Sequence, residues 1–243
     1  MAARERVDVL LVEQGLCDSR EQAKRLVMAG EVFCGTERVS KPSAKVARDA
    51  ELRVAARPKY VGRGGLKMEG ALKSFALDPS GLVCLDLGSS TGGFTDCLLQ
   101  HGAARVHAID VGTNQLAWKL RQDERVIVRE RFNARNLVES DLGERVDLVV
   151  MDLSFISLTK VLPAAFGVLK EGGSVVCLIK PQFELSKEEV GKGGIVREPE
   201  LREKAVETIR SFVADELERQ WVDLIESPIT GTDGNVEFLA WLK

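Results

Sequence analysis

From residue 82 onward, short apolar runs recur along the chain at 82–87, 105–110, 125–129, 146–152 and 174–180. Runs of this length, rich in Val, Ile and Leu, read as strands buried on both faces. The stretches between them carry apolar residues at helical spacing, and helices are expected at 94–101, 114–120 and 157–169. Strands alternating with helices predict a parallel sheet with right-handed crossovers and helices on both faces. A further helix is expected at 200–219, with Leu201, Ala205, Ile209, Phe212 and Val213 on one face. The last two apolar runs, 221–227 and 236–242, have no helix between them. They flank the turn-rich segment Thr230-Gly231-Thr232-Asp233-Gly234-Asn235 and should pair antiparallel.

The first part of the chain is patterned differently. Val7, Leu10 and Leu11 predict a short amphipathic helix ending near Gly15. Ser19-Arg20-Glu21-Gln22 has the spacing of a capping box, with Ser19 as N-cap. Ala23, Leu26 and Val27 form the apolar stripe of the second helix, and Gly30 closes it. Val32-Phe33-Cys34, a Gly35-Thr36 turn, Val39-Ser40 and Leu52-Arg53-Val54 supply short strands. The expected organisation is a small α+β unit at 4–56, a linker at 57–63 marked by Pro58 and the glycines that follow, and a large α/β unit at 64–243. In the large unit a helix is expected over 69–75, with Lys67 just ahead of it.

Leu82-Val83-Cys84-Leu85-Asp86-Leu87-Gly88-Ser89-Ser90-Thr91-Gly92-Gly93-Phe94 reads as a strand, a glycine-rich turn and a helix start. A phosphate-cradling loop would need lysine where Phe94 stands, and the dinucleotide pattern would need glycine where Ser90 stands. What remains is Asp-x-Gly-x-x-x-Gly-Gly, a pattern suited to S-adenosyl-methionine. Asp86, Gly88, Ser89, Ser90, Gly92, Gly93 and Phe94 are therefore the candidate cofactor loop. Asp110, closing the next strand, takes the place of the acid that accepts ribose hydroxyls about 20 residues on in dinucleotide folds. Asn133, after the third strand, is a candidate contact to the adenine.

Composition narrows the chemistry. The five cysteines are scattered and show no C-x-x-C spacing, and only two histidines exist. That pattern speaks against a disulfide framework, a zinc site or a histidine triad, and no metal is expected. No apolar run approaches the roughly 20 residues of a membrane span, and the N-terminal residues lack an apolar signal core, so the expected location is the cytoplasm. The net charge of −3 hides an asymmetry: residues 1–73 carry 15 Lys/Arg against 10 Asp/Glu, and the remainder carry 19 against 27. A basic front on an acidic body suits a polyanionic partner met from one side. Arg4, Arg6, Arg20, Lys24, Arg25 and Lys41 are the candidate contacts of the front to such a partner, with Arg63 beyond it. The glycine-rich Gly191–Val196 loop, including Lys192, is either a flap touching that partner or a plain surface loop.

Asp8-Val9-Leu10-Leu11-Val12-Glu13, Ser19-Arg20-Glu21-Gln22-Ala23-Lys24 and Ala29-Gly30-Glu31-Val32-Phe33-Cys34-Gly35 together resemble the "S-four" RNA-binding fold. In that family the basic helix and following hairpin grip structured RNA. The outline of the large unit is similar to the Rossmann-like seven-stranded S-adenosyl-methionine-dependent methyltransferases. Lys67, Asp152 and Lys180 at element ends and Glu237 opening the last strand form an ordered set. It resembles the Lys-Asp-Lys-Glu tetrad of FtsJ-type ribose 2′-O-methyltransferases. The resemblance implies that Lys180 is the base that withdraws the 2′-hydroxyl proton. Lys67 and Glu237 would orient base and hydroxyl, and Asp152 would sit beside the cofactor. A lysine can act in this way only if its pKa falls towards neutrality.

The whole chain resembles the TlyA family, described both as haemolysin-like proteins and as ribosomal RNA methyltransferases. Tyr60-Val61-Gly62-Arg63-Gly64-Gly65-Leu66-Lys67, Met151-Asp152-Leu153-Ser154-Phe155-Ile156-Ser157 and Lys180-Pro181-Gln182-Phe183-Glu184 carry that likeness. It implies 2′-O-methylation of cytidine in ribosomal RNA or a ribosomal subunit, and the short ends resemble the branch acting on the large subunit. Two other readings compete: a membrane-active haemolysin, which would need an amphipathic basic segment that is not visible, and an RNA-binding protein with an inactive catalytic domain, which should have lost part of the tetrad or loop.

Overall fold

The computed structural model describes residues 4–55, 58–191 and 193–243. Met1 to Ala3, Ala56 and Arg57 of the expected junction, and Lys192 of the glycine-rich loop lie outside the described residues. The chain divides into two compact units, Met1–Lys59 and Tyr60–Lys243.

The first unit contains β1 (Arg4–Arg6), α1 (Val7–Glu13), α2 (Arg20–Met28), β2 (Val32–Cys34), β3 (Glu37–Arg38), β4 (Lys45–Ala47) and β5 (Leu52–Val54). Strands β3, β2 and β5 form one small sheet, and β1 pairs with β4. Leu10, Leu11, Ala23, Leu26, Val27 and Val32 make its core, on the helical spacing expected. The Ser19 hydroxyl accepts the Gln22 N–H at 3.3 Å, while the Gln22 side chain accepts from the N–H of Asp18 at 3.1 Å. The reciprocal half of the capping box is thus displaced by one residue. The returning hairpin strand is Glu37–Arg38, ahead of the expected Val39-Ser40, because the tight Gly35-Thr36 turn puts Cys34 opposite Glu37. Val39 is instead buried in the core.

The second unit contains α3 (Gly64–Ser74), β6 (Val83–Leu87), α4 (Gly93–Gln100), β7 (Arg105–Ile109), α5 (Trp118–Arg121), β8 (Val126–Arg129), α6 (Glu139–Leu142) and β9 (Val146–Met151). It continues with α7 (Leu162–Gly167), β10 (Leu169–Ile179), α8 (Pro181–Glu184), α9 (Pro199–Ser211), β11 (Trp221–Glu226) and β12 (Phe238–Leu242). These strands form one seven-stranded sheet in the order β11-β12-β10-β9-β6-β7-β8. Pairing is parallel from β10 to β8, and β12 is antiparallel to both β10 and β11. The expected terminal pair exists, but β12 inserts between β10 and β11 and brings its leading residues to the carboxyl edge of the parallel strands. Successive strand residues face opposite sides. Leu85, Leu87, Met151 and Ile179 pack on one face with Ile209 of α9. Cys84, Val106, Val150 and Leu178 pack on the other with Met68 of α3 and Leu98 of α4.

Three expected helices are shorter than their patterns. The 114–120 helix contracts to α5, after a loop in which Asn114 adopts φ +57°. The 157–169 helix splits into a tight turn at Leu158–Lys160 and α7, since β10 begins at Leu169. The 200–219 helix gives α9 followed by a widened π turn at Phe212–Glu216. Helix α3, by contrast, starts earlier than expected, and Lys67 lies within it. Of the expected linker, Tyr60 is buried in the second unit and the Val61 N–H donates to Asp96 Oδ2 at 2.8 Å. Among the described residues no helix is long and apolar enough to cross a membrane.

Candidate active site

The carboxyl edge of the parallel strands is where open α/β sheets hold ligands, and the four tetrad residues converge there. Asp152 follows β9, Lys180 follows β10, Glu237 immediately precedes β12, and Lys67 enters from α3. The Lys67 amine donates to Glu237 Oε2 at 2.6 Å and lies 3.9 Å from Asp152 Oδ2. The Lys180 amine is 2.7 Å from Asp152 Oδ1 and donates to the Ser154 hydroxyl at 3.0 Å. The result is a continuous row, Glu237–Lys67–Asp152–Lys180, in which charges of opposite sign alternate. Lys67, Lys180 and Glu237 are all buried, so the row is held where water screens it little. Two positions on the Lys180 nitrogen are taken by Asp152 and Ser154, which fixes the direction of the third.

Beside this row lies a cleft of about 460 Å³ whose walls include Ser89, Ser90, Gly93 and Phe94 of the glycine loop as well as Lys67, Asp152, Lys180 and Glu237. The loop folds as it does because Gly88 lets it press against the end of β9: a Cβ there would stand 2.6 Å from the Asp152 carbonyl oxygen. Asp110 shapes the loop from the other side, accepting the N–H of Ser90 at 2.8 Å and of Gly112 at 2.6 Å. Asp86 is fully buried beneath it. Its Oδ2 accepts the Thr95 N–H at 3.0 Å and the Thr95 hydroxyl at 2.6 Å, while Oδ1 has no partner among the described residues. Burial pushes the Asp86 carboxyl up to about 7, the two Thr95 hydrogen bonds opposing that rise. The loop, the start of α4 at Gly93 and the adjoining Phe94, all on the cleft wall, fit a zwitterionic, partly apolar ligand such as S-adenosyl-methionine.

Not every expected cofactor residue reaches the cleft wall. Asp86 and Gly92 support the loop from beneath, and Asp110 stands behind Ser90. Asn133 is exposed and caps the turn Ala134–Asn136, its side chain accepting the Arg135 N–H at 3.1 Å.

The expected RNA contacts divide in a similar way. Asp8, completely buried, is gripped by Arg6 through two hydrogen bonds of 2.8 and 2.9 Å and by Arg20 at 3.0 Å. These arginines hold the Asp8 carboxyl down at about 2. Arg6 and Arg20 therefore tie α1 to α2, and only their outer faces remain for a ligand. Lys24 is exposed and pairs loosely with Glu21 at 3.4 Å, while Arg4, Arg25 and Lys41 are exposed. Arg63, in the second unit, donates to the Thr230 carbonyl at 3.0 Å on the rim of the cleft.

The structure adds residues to the site that the sequence reading did not single out. Ser154 fixes Lys180. Phe155, 89% exposed and at φ +63°, packs its ring 5.2 Å from that of Phe183, and both line the cleft. Glu184 holds this segment by accepting the Ser157 hydroxyl at 2.6 Å and the Leu158 N–H at 3.0 Å. Burial raises its carboxyl above the usual range, with both hydrogen bonds acting against that. The available signal was the segment Ser154-Phe155-Ile156-Ser157, which begins two residues after the strand-end acid Asp152.

The model of the FtsJ-like methyltransferase family matches residues 60–243, and that of the S4 domain matches residues 5–52. The chain is 48% identical to the 16S/23S rRNA (cytidine-2′-O)-methyltransferase TlyA of Mycobacterium tuberculosis, over 100% of this chain and 91% of that protein. It is 42% identical to Hemolysin A of Brachyspira hyodysenteriae, over 97% of this chain and 98% of that one. A solved structure from Streptococcus thermophilus, named as a hemolysin, shares 48% identity with a TM-score of 0.75 and covers 100% of this chain and 89% of its own.

Proposed function

This chain belongs to the FtsJ-like methyltransferase family, of the TlyA type, and from that premise we propose that it methylates the 2′-hydroxyl of a cytidine ribose in ribosomal RNA. The observation that carries the reading is the unbroken row from Glu237 to Lys180, which borders the same cleft as the glycine loop.

S-adenosyl-methionine, bound against Ser89, Ser90, Gly93 and Phe94, supplies an activated methyl group. The chain's own residues then have three tasks. The Lys180 amine takes the proton of the 2′-hydroxyl as the oxygen–methyl bond forms and the sulfur–methyl bond breaks. Asp152 and Ser154 aim that amine, and Asp152 neutralises the ammonium that results. Lys67, anchored by Glu237, contributes a fixed cation beside the reacting oxygen, so that little reorganisation is needed during transfer. Placing the hydroxyl in line with the methyl group supplies much of the remaining rate. Phe155 and Phe183 offer ring faces on which an unstacked base can rest.

The first unit, with its exposed Arg4, Lys24, Arg25 and Lys41, binds the RNA electrostatically, and a ribosomal RNA substrate puts the reaction in the cytoplasm. The test is transfer of tritiated methyl from S-adenosyl-methionine to unmodified large subunits, small subunits and free ribosomal RNA. Label in one of these supports the assignment and identifies the particle. Absence of label from all three, with the cofactor bound, contradicts it.

A further inference from the structure

Two loops far apart in sequence complete the cleft on the side away from the glycine loop. One follows α8 and contributes Val190 and Gly194, and the other precedes β12 and contributes Thr230, Gly231, Thr232 and Asp233. Among the described residues the side chain of Asn235 joins them. Asn235, 1% exposed, accepts the Val196 N–H on its Oδ1 at 2.9 Å and donates from Nδ2 to the Gly194 carbonyl at 2.8 Å. Its own carbonyl accepts the Gly231 N–H at 2.9 Å, closing the turn. Gly231 in turn sits so tightly on Glu237 that a Cβ would stand 2.6 Å from Oε1. The amide of Asn235 therefore reaches the glycine-rich loop in one direction and, through Gly231, the carboxylate that anchors Lys67 in the other.

Strand order says which ligand this wall faces. The glycine loop and Asp110 follow β6 and β7, on one side of Asp152, whereas the wall lies beside β10 and β12, on the side of Lys180 and Glu237. The methyl donor occupies the first side, which leaves the second for the acceptor. We infer that Asn235 is a positioning residue that ties Gly194 and Val196 to the 230–237 loop as one wall seating the target nucleotide. Gly194 is thereby held as part of the acceptor site.

This inference rests on the methyl-transfer reading, and its test keeps the two separable. Asn235→Ala removes both side-chain hydrogen bonds, while Asn235→Asp keeps the acceptor for Val196 and loses the donor to Gly194. In Asn235→Ala, hydrogen exchange at the Val196 amide accelerates to that of an open loop. KM for RNA rises ~10-fold, and cofactor affinity stays within about twofold of wild type. In Asn235→Asp, Val196 protection returns while KM stays raised, a split that a general loss of stability does not produce. Wild-type Val196 protection and KM in Asn235→Ala would overturn the assignment. So would loss of cofactor binding in parallel with KM in both variants, which would mark Asn235 as merely structural. If Asn235→Ala does not fold, Asn235→Asp decides alone: raised KM with intact cofactor affinity supports the wall, and unchanged KM refutes it. Failure of the wild-type protein to label any RNA would instead refute the methyl-transfer reading, with the exchange result still testing the clamp.

Discussion

The Lys67 amine and the Glu237 carboxylate stand 2.6 Å apart across 170 residues of sequence, both buried at the edge of the sheet. The insertion of β12 between β10 and β11 makes this meeting possible, because an antiparallel strand there starts where its parallel neighbour ends. Lys67 has a second, more distant carboxylate in Asp152 at 3.9 Å, whereas Glu237 has Lys67 as its one ion-pair partner among the described residues.

That asymmetry predicts unequal costs. Removing one member of a buried pair typically destabilises by about 3–5 kcal/mol. Lys67→Met strands Glu237 completely and should fall in that range, while Glu237→Leu leaves Lys67 beside Asp152 and should cost less. The double substitution should regain most of the stability and none of the methyl transfer. All three tryptophans, Trp118, Trp221 and Trp241, lie in the second unit, so their fluorescence during urea unfolding reads this directly.

At Lys180 the charge and the base function can be separated. Lys180→Arg keeps a cation beside Asp152 but cannot accept a proton at working pH. Both Lys180→Arg and Lys180→Ala should lower kcat by about 10²–10⁴-fold, with RNA binding and cofactor affinity near wild type. A half-active Lys180→Arg enzyme would remove Lys180 as the base.

Asp86 makes a prediction about pH. Its folded-state value, about 7, lies above its ordinary 3.8, so the native state binds the extra proton between these limits. Its contribution to stability therefore declines as pH rises from about 4 to 7, and the full cost of burying the charge applies above that. Asp86→Asn keeps an acceptor for Thr95 and removes the charge. The variant should gain stability relative to wild type on going from pH 5 to pH 8, read by tryptophan fluorescence. A difference independent of pH would contradict the burial argument.

Asp8 has the opposite sign. Held at about 2 by Arg6 and Arg20, it stabilises the first unit at neutral pH, and this contribution is lost as pH falls from about 4 through 2. Because both arginines are partly exposed, Asp8→Asn should cost on the order of 1–2 kcal/mol at pH 7. The cost should shrink as pH falls to 2 and vanish below it. Hydrogen exchange of the Leu10 and Leu11 amides on the buried face of α1 checks this without interference from the second unit.

The large unit was readable because its strands are continuous apolar runs and its ligand loop needs glycines at fixed spacing. The tetrad was readable because Asp152 and Lys180 end apolar strands, where a charge has no packing role. Ion pairs between distant residues were less legible. Arg6 and Arg20 look like free cations in sequence, and only the fold of α1 onto α2 reveals that Asp8 claims them. Lys67 appeared to precede its helix because Gly64 and Gly65 are poor helix formers, yet a Cβ at Gly65 would stand 2.3 Å from the Tyr60 ring, and the Gly65 backbone packs so closely on α4 that a Cβ at Gly93 would stand 2.8 Å from its nitrogen. Asn235 looked like a turn residue, and its buried amide acts on a segment that no local pattern connects to it.

The chemical position of the methyl group is read out by the alkaline lability of the product. RNA methylated by this protein with labelled S-adenosyl-methionine should leave its label in an alkali-resistant dinucleotide with cytidine on the 5′ side, because a 2′-O-methyl group blocks the hydroxyl that cleaves the chain. Label recovered in single nucleotides, on the base of cytidine or any other residue, would contradict the assignment of Lys180 and its neighbours to a ribose hydroxyl.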